Sequence, residues 1–269
     1  MSGDCGDLDV DGYYAYKNIT RHGNGQIFHI KKDGIEKVLM ALKTSMKDSY
    51  TQNKNGRTFS PGASFMPFSV DSTMTDIEIR LCGEGPKLKI KNPLDQIVIG
   101  DVMTSDNLQI VKFQNPMAGR WTIDADSSSE YTIQIGSNSE LKFEYGFSTK
   151  ASRSRRTTSF QPLKGTNNIL TFFISDPSKV GFLSKATLSW DKADKTGRTR
   201  RDINTDSEIQ YKLTKISDNT YATEPFEAPE GMFKVQLEGF DSNGNNLERL
   251  VSTAVEATRP SKLIRNVLW

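Results

Sequence analysis

Two short runs hold the densest chemistry in the sequence: Arg153, Arg155 and Arg156 in "RSRR", and Arg198, Arg200 and Arg201 in "RTRR". A guanidinium group pairs in bidentate fashion with planar or tetrahedral oxyanions. Three readings compete: solvated loops, a joint patch for a sulfated glycan or other polyanion, and Arg-x-Arg-Arg sites for a furin-like protease. "DLDVDG" sets Asp7, Asp9 and Asp11 ahead of Gly12, which matches the opening of a calcium loop. Such a loop needs a bidentate Glu at its twelfth position, where Asn18 stands, so an acidic surface loop is the better reading. "DSNGN" at Asp241 fails in the same way, with Asn246 at the glycine position, and reads as a tight hairpin. His22 and His29 are the only histidines and have no metal-ligand spacing to Cys or carboxylate. Hydrolase, zinc-protease, Walker and dinucleotide fingerprints are absent from the sequence, which points to a non-enzyme without cofactor or metal. Asn18-Ile19-Thr20 is a glycosylation sequon.

The elements that must position these residues come from 269 residues, enough for two or three compact units. Hydrophobic content is only 35%, yet 14 Phe, 8 Tyr and 3 Trp supply core material that a disordered chain lacks. A net charge of +2 provides no broad field for nucleic acid or membrane surfaces. No apolar run is long enough to span a bilayer. The first residues, "MSGDCGDLDVDG", lack the apolar stretch of a signal peptide, so Met1 taken as the true start implies a cytoplasmic chain. Cys5 and Cys82 form either one bridge or two separate thiols.

Residues 1–50 read as helix, strand and helix. "GYYAYKNITRHG" is a short helix stopped by glycine, and "QIFHI" has strand composition. Ile35, Val38, Leu39, Leu42 and Met46 then form one helical stripe. Three such elements cannot bury two apolar faces alone, so they look like the end of a larger α/β domain. Residues 51–64 are a polar linker. From Phe65 the pattern has period two, giving one antiparallel β-sandwich over 65–150, a basic linker over 151–160, a second sandwich over 161–258 and a tail over 259–269. "NPMAGRWTID" and "YTIQI" are adjacent strands of the first sandwich. Trp121 and Ile123 share one face, Tyr131 and Ile133 form the matching row, and Trp121 reads as a core anchor and not a ligand platform.

"SGDCGD", "GYYAYKNIT" and "GQIFHI" resemble the last α–β–α part of the von Willebrand factor A domain in hemicentins and related extracellular proteins. "GPKLKIKNPL", "NPMAGRWTI" and "LKFEYGFS" are similar to the galactose-binding-like sandwich that follows in that family. "APEGMFKVQLEGFDSNGN" and "ERLVS" resemble the Ig-like domain after it. The resemblance implies a mainly β chain of two consecutive antiparallel sandwiches, galactose-binding-like and then Ig-like, preceded by an α/β remnant of the A domain. It also implies an extracellular matrix or cell-surface adhesion protein whose partners are other proteins, matrix components or sulfated glycans, and neither nucleic acid nor membrane. The A domain's metal loop, Asp-x-Ser-x-Ser, is absent, so metal-dependent adhesion does not carry over. A soluble intracellular scaffold and a carbohydrate-binding accessory module are the alternatives.

Overall fold

Alternating side chains make extended segments with one face for a core, and from Ser64 onward the chain follows that rule almost throughout. The computed structural model describes residues 11–23, 25–28, 35–47, 49–53, 57–191 and 206–259. Two helices come first, α1 (Asp11–His22) and α2 (Ile35–Ser45). Strands β1 (Tyr50–Gln52), β2 (Arg57–Phe59), β3 (Ser64–Val70), β4 (Met74–Cys82) and β5 (Lys87–Lys91) follow. Then come β6 (Ile97–Val98), β7 (Asp101–Ser105), β8 (Leu108–Gln114), β9 (Gly119–Asp126) and β10 (Tyr131–Ser139).

The first sandwich faces the small antiparallel sheet β3-β9-β5-β6 against the strands β10-β4-β8-β7. Met66, Phe68, Ile90, Trp121 and Ile123 project from the small sheet onto Ile77, Ile79, Leu81, Tyr131 and Ile133 of the other. Trp121 is 3% exposed, lies 5.2 Å from the Phe113 ring, and its indole N–H donates to the carbonyl of Met117 at 2.7 Å. The Tyr131 hydroxyl, at the rim, donates to the carbonyl of Gly62 at 3.0 Å. At Gly119 the backbone has φ +135° and Pro93 presses against it, so a side chain there would be both strained and crowded.

The second sandwich comprises β11 (Phe143–Ser148), β12 (Asn167–Ile174), β13 (Val180–Asp191), β14 (Asp206–Ser217) and β15 (Thr220–Thr223). It is completed by β16 (Phe226–Glu227), β17 (Met232–Asp241), β18 (Asn246–Leu250) and β19 (Val255–Glu256). β11-β12-β15 packs over β14-β13-β17-β18, enclosing Phe147, Leu170, Phe172, Leu188, Val235 and Leu237.

Four expectations change. "LKFEYGF" was assigned to the first sandwich, but β11 pairs with β12 and Phe147 packs in the second core. Residues 51–64 are no plain linker: β1 and β2 both pair with β10. Gln26, Ile27 and Phe28 of "QIFHI" belong to no strand, while His29 and Ile30 lie outside the described residues. Of the expected stripe on α2, only Val38 packs on the β-structure, beside Cys82, Leu108 and Ile110. Residues 25–28 instead cover the outer face of the first sandwich, with Phe28 packed beside Val38. Gln134 donates to the carbonyl of Gly25 at 2.6 Å and Gln26 to the hydroxyl of Thr132 at 3.1 Å. Beneath this cover Cys82 is a free thiol, pushed up to about 12 by burial, and Cys5 lies outside the described residues.

The two apolar cores are distinct, yet one sheet runs through both sandwiches in the order β11-β12-β15-β14-β13-β17-β18-β1-β10-β4-β8-β7. Its crossing point is the pairing of Gln52 in β1 with Leu250 in β18. Beside it Arg249 of β18 is 1% exposed, and its Nη1 donates to Oδ2 of Asp71 at 2.5 Å. Nη2 donates to the hydroxyls of Ser139, at 3.1 Å, and Thr73, at 3.2 Å. Asp241, at the β17–β18 hairpin, accepts the backbone N–H of Ser72 at 2.7 Å and those of Asn243 and Asn245. Ser69 donates to Glu248 at 3.1 Å.

Removing one half of a buried pair strands the other charge, so Arg249→Met should cost about 3–5 kcal/mol in urea unfolding, with much of that recovered in Arg249→Met/Asp71→Leu. A single-variant cost below about 1 kcal/mol would show that the pair is not holding the joint. Burial raises the Asp241 carboxyl, but the Ser72 and Asn245 hydrogen bonds overcome it and hold the group below its ordinary 3.8. That contribution is present above the ordinary value and is lost as pH falls through the lower folded one. Asp241→Asn should therefore flatten the acid decline of the urea midpoint as pH falls below about 4, whereas an unchanged slope would contradict the assignment.

Candidate functional site

The sequence's arginine signal falls in the connection from β11 to β12, a long loop that the backbone ties down. Phe147 and Ser159 exchange both N–H to carbonyl bonds, at 2.7 and 2.8 Å. The close approach requires Gly146, because a Cβ there would lie 2.0 Å from the Thr158 hydroxyl oxygen. Residues Arg155–Thr157 form a single 3-10 turn, with the Thr157 hydroxyl donating to the carbonyl of Ser154 at 2.9 Å. Downstream, buried Asn168 closes the loop: its amide donates to the carbonyls of Leu163 and Thr166, and its oxygen accepts the Leu163 N–H.

This frame divides the three arginines by role. The Arg155 guanidinium lies 3.8 Å above the centre of the Phe160 ring and donates through Nη1 to the Thr158 carbonyl and hydroxyl. Phe160 meets Tyr145 edge-on, Tyr145 meets Phe147, and Phe147 meets Phe233, so a run of aromatic contacts leads from Arg155 into the second core. Burial raises the Tyr145 hydroxyl, with the Arg155 charge opposing it. Arg155 is thus a brace.

Arg153 and Arg156 are exposed and, with Lys150, line a groove of about 880 Å³ whose floor includes Phe147, Leu163 and Asn168. No carboxylate lines it; the remaining polar groups include the hydroxyl residues Ser148, Ser152, Ser154 and Thr157. Three cations facing one concavity without a counter-charge attract an anion. Arg198, Arg200 and Arg201 lie outside the described residues.

The other expected site residues fall elsewhere. Asp7 and Asp9 are outside the described residues, and Asp11 opens α1, with its side chain also outside them. Positions 11–18 are therefore helical, a backbone that does not wrap oxygen ligands around an ion. Asn18 lies within α1, its side chain outside the described residues, and the sequon's Thr20 hydroxyl donates to the carbonyl of Tyr16 at 3.0 Å. Trp121, Ile123, Tyr131 and Ile133 are all buried in the first core. Among the described residues no three His, Cys, Asp or Glu side chains are placed to hold a metal ion, and no helix is long and apolar enough to cross a membrane. Sequence reasoning missed Asp71 and Arg249, and placed Asp241 in the hairpin found between β17 and β18 without foreseeing its bond to Ser72. One signal was available: Arg249 follows Leu247 by two, so it sits on the inward phase of its strand, where a charge must find a partner.

The class these features define is a mainly β protein of antiparallel sheets with a galactose-binding-like sandwich. Residues 54–140 match the family described as "Hemicentin galactose-binding domain-like". Over nearly the whole chain the sequence is similar to hemicentins. It is 25% identical to hemicentin-2 of Mus musculus over 266 residues, covering 97% of this chain and 5% of that protein. Against hemicentin-1 of Homo sapiens it is 22% identical over 269 residues, with the same coverage. The chain therefore spans about 5% of the length of the curated relatives it matches. Among solved structures, the Bacillus licheniformis lipase BlEst2 in propeptide form aligns with a TM-score of 0.38 and 14% identity, over 79% of this chain and 44% of that one. At that score the likeness carries no argument.

The split between brace and free cations has a direct test in thermal or urea unfolding. Arg155→Ala should destabilise the chain by about 1–3 kcal/mol through loss of the ring contact and the Thr158 bonds, while Arg153→Ala stays within about 0.5. Equal losses from both variants would abolish the distinction.

Proposed function

We propose that this chain is a non-enzymatic segment of an extracellular matrix or cell-surface adhesion protein, a strut of two rigidly joined sandwiches that offers its faces and loop ends to other proteins or matrix components. The observation that carries the reading is the joint: one sheet crosses both units and a buried Arg249–Asp71 pair fixes their angle. A spacer in a matrix protein needs that property, because a flexible hinge would let its binding surfaces wander. The similarity to hemicentins along the chain points the same way. So does the use of the buried acids: Asp71, Asp241 and Glu78 are taken up by Arg249, by backbone N–H groups and by Lys112, and none is left poised for catalysis.

In this reading the second sandwich is Ig-like. Its strand order β11-β12-β15-β14-β13-β17-β18, with β15 also paired to β14, supports that reading. The helices are the end of a von Willebrand A-like domain. Ile35, Leu39, Leu42 and Met46 remain exposed on and just after α2, as expected for the flank of a larger α/β unit.

Antibody against this segment, applied to unpermeabilised cells that express the protein, should label the pericellular matrix. Labelling that appears only after permeabilisation would replace the reading with an intracellular scaffold.

A further inference from the structure

We infer that the groove between β11 and β12 binds a sulfated polysaccharide, through Arg153, Arg156 and Lys150. Independently of the joint, four features carry this. First, the cations are available: Arg153 and Arg156 are exposed and have no ion-pair partner among the described residues, while neighbouring Arg155 is spent on Phe160 and Thr158. Second, the cradle is formed in advance by the Phe147–Ser159 pairing, the 3-10 turn and the Asn168 clamp, so little loop entropy is lost on binding. Third, the lining combines cations with hydroxyl side chains and no carboxylate, which suits a ligand carrying sulfate esters among sugar hydroxyls.

The fourth feature separates this ligand from nucleic acid. Single strands are held by stacking bases on exposed aromatic faces along the channel. The one aromatic that lines this groove, Phe147, is buried, and Phe160, 68% exposed, lies outside the lining with the Arg155 guanidinium over its ring. Nor does a net charge of +2 supply the broad basic field that duplex binding uses. The same geometry argues against processing at Arg156. A protease must take its recognition residues in extended form, and here Arg155 and Arg156 sit in a hydrogen-bonded turn with one side chain locked.

The test is calorimetric titration of the intact chain with a heparin-derived oligosaccharide near physiological salt. Arg153→Ala/Arg156→Ala should weaken binding by about tenfold or more, the loss of two charge-assisted contacts, with an unchanged melting midpoint because neither side chain is packed. Removing the sulfates from the same oligosaccharide should weaken it at least as much. Arg198→Ala/Arg200→Ala/Arg201→Ala, which leaves the groove's own cations in place, should cost less affinity than the double variant. Undiminished binding by the double variant, loss confined to the triple variant, or equal affinity for single-stranded DNA of matched charge would each overturn the assignment.

Discussion

One buried ion pair sets the terms for the whole molecule. Arg249 and Asp71 are 1% and 0% exposed, and they belong to different sandwiches. Taking both charges out of water is unfavourable unless every lone pair and proton finds a partner at the right angle. Thr73 and Ser139 of the first sandwich meet Nη2, and Asp71 with the carbonyl of Glu248 meets Nη1, which leaves only Nε of the guanidinium without a hydrogen bond among the described residues. A pair of this kind gives little net stability, but it penalises wrong geometry heavily. Rotating one sandwich against the other would strand a buried guanidinium and carboxylate without their partners. The β1–β18 pairing and the Asp241–Ser72 bond act in the same direction, the first holding β18 beside β1 and the second holding the β17–β18 hairpin against the β3–β4 turn.

The rest of the architecture follows from that fixed angle. Both faces of the β10-β4-β8 strands are covered, one by the core of the first sandwich and the other by residues 25–28 lying across β10 and by Val38 of α2 beside Leu108 and Ile110 of β8. The second sandwich keeps its aromatic core for itself, and Arg155, Phe160, Tyr145 and Phe147 carry that order outward to the groove. Binding chemistry therefore sits on a surface whose frame is part of the core. A ligand there meets side chains that are already positioned.

Much of this was legible in the sequence and some of it was not, for reasons that can be assigned to residues. Trp121, Ile123, Tyr131 and Ile133 alternate so regularly that their burial follows from strand geometry alone. The same alternation misled at β11. Phe143, Tyr145 and Phe147 have the right period but nothing in that period says which of two cores they face, and β11 follows β10 so closely that it reads as the next strand of the same unit. β1 and β2 were hidden because strands of three residues embedded in polar sequence have no detectable period. The arginine run announced charge but not role. Arg155 is distinguished from its neighbours only by Phe160, five residues on, folding beneath it. The contact between Arg249 and Asp71, 178 residues apart, has no local signature beyond a charge on an inward strand position.

Differential scanning calorimetry of the intact chain tests the central claim most directly. Coupling through the shared sheet and the buried pair predicts one transition, with calorimetric and van't Hoff enthalpies in a ratio of about one. Two resolved transitions, each with the heat of a single sandwich, would mean that the halves unfold independently and that the joint does not hold them.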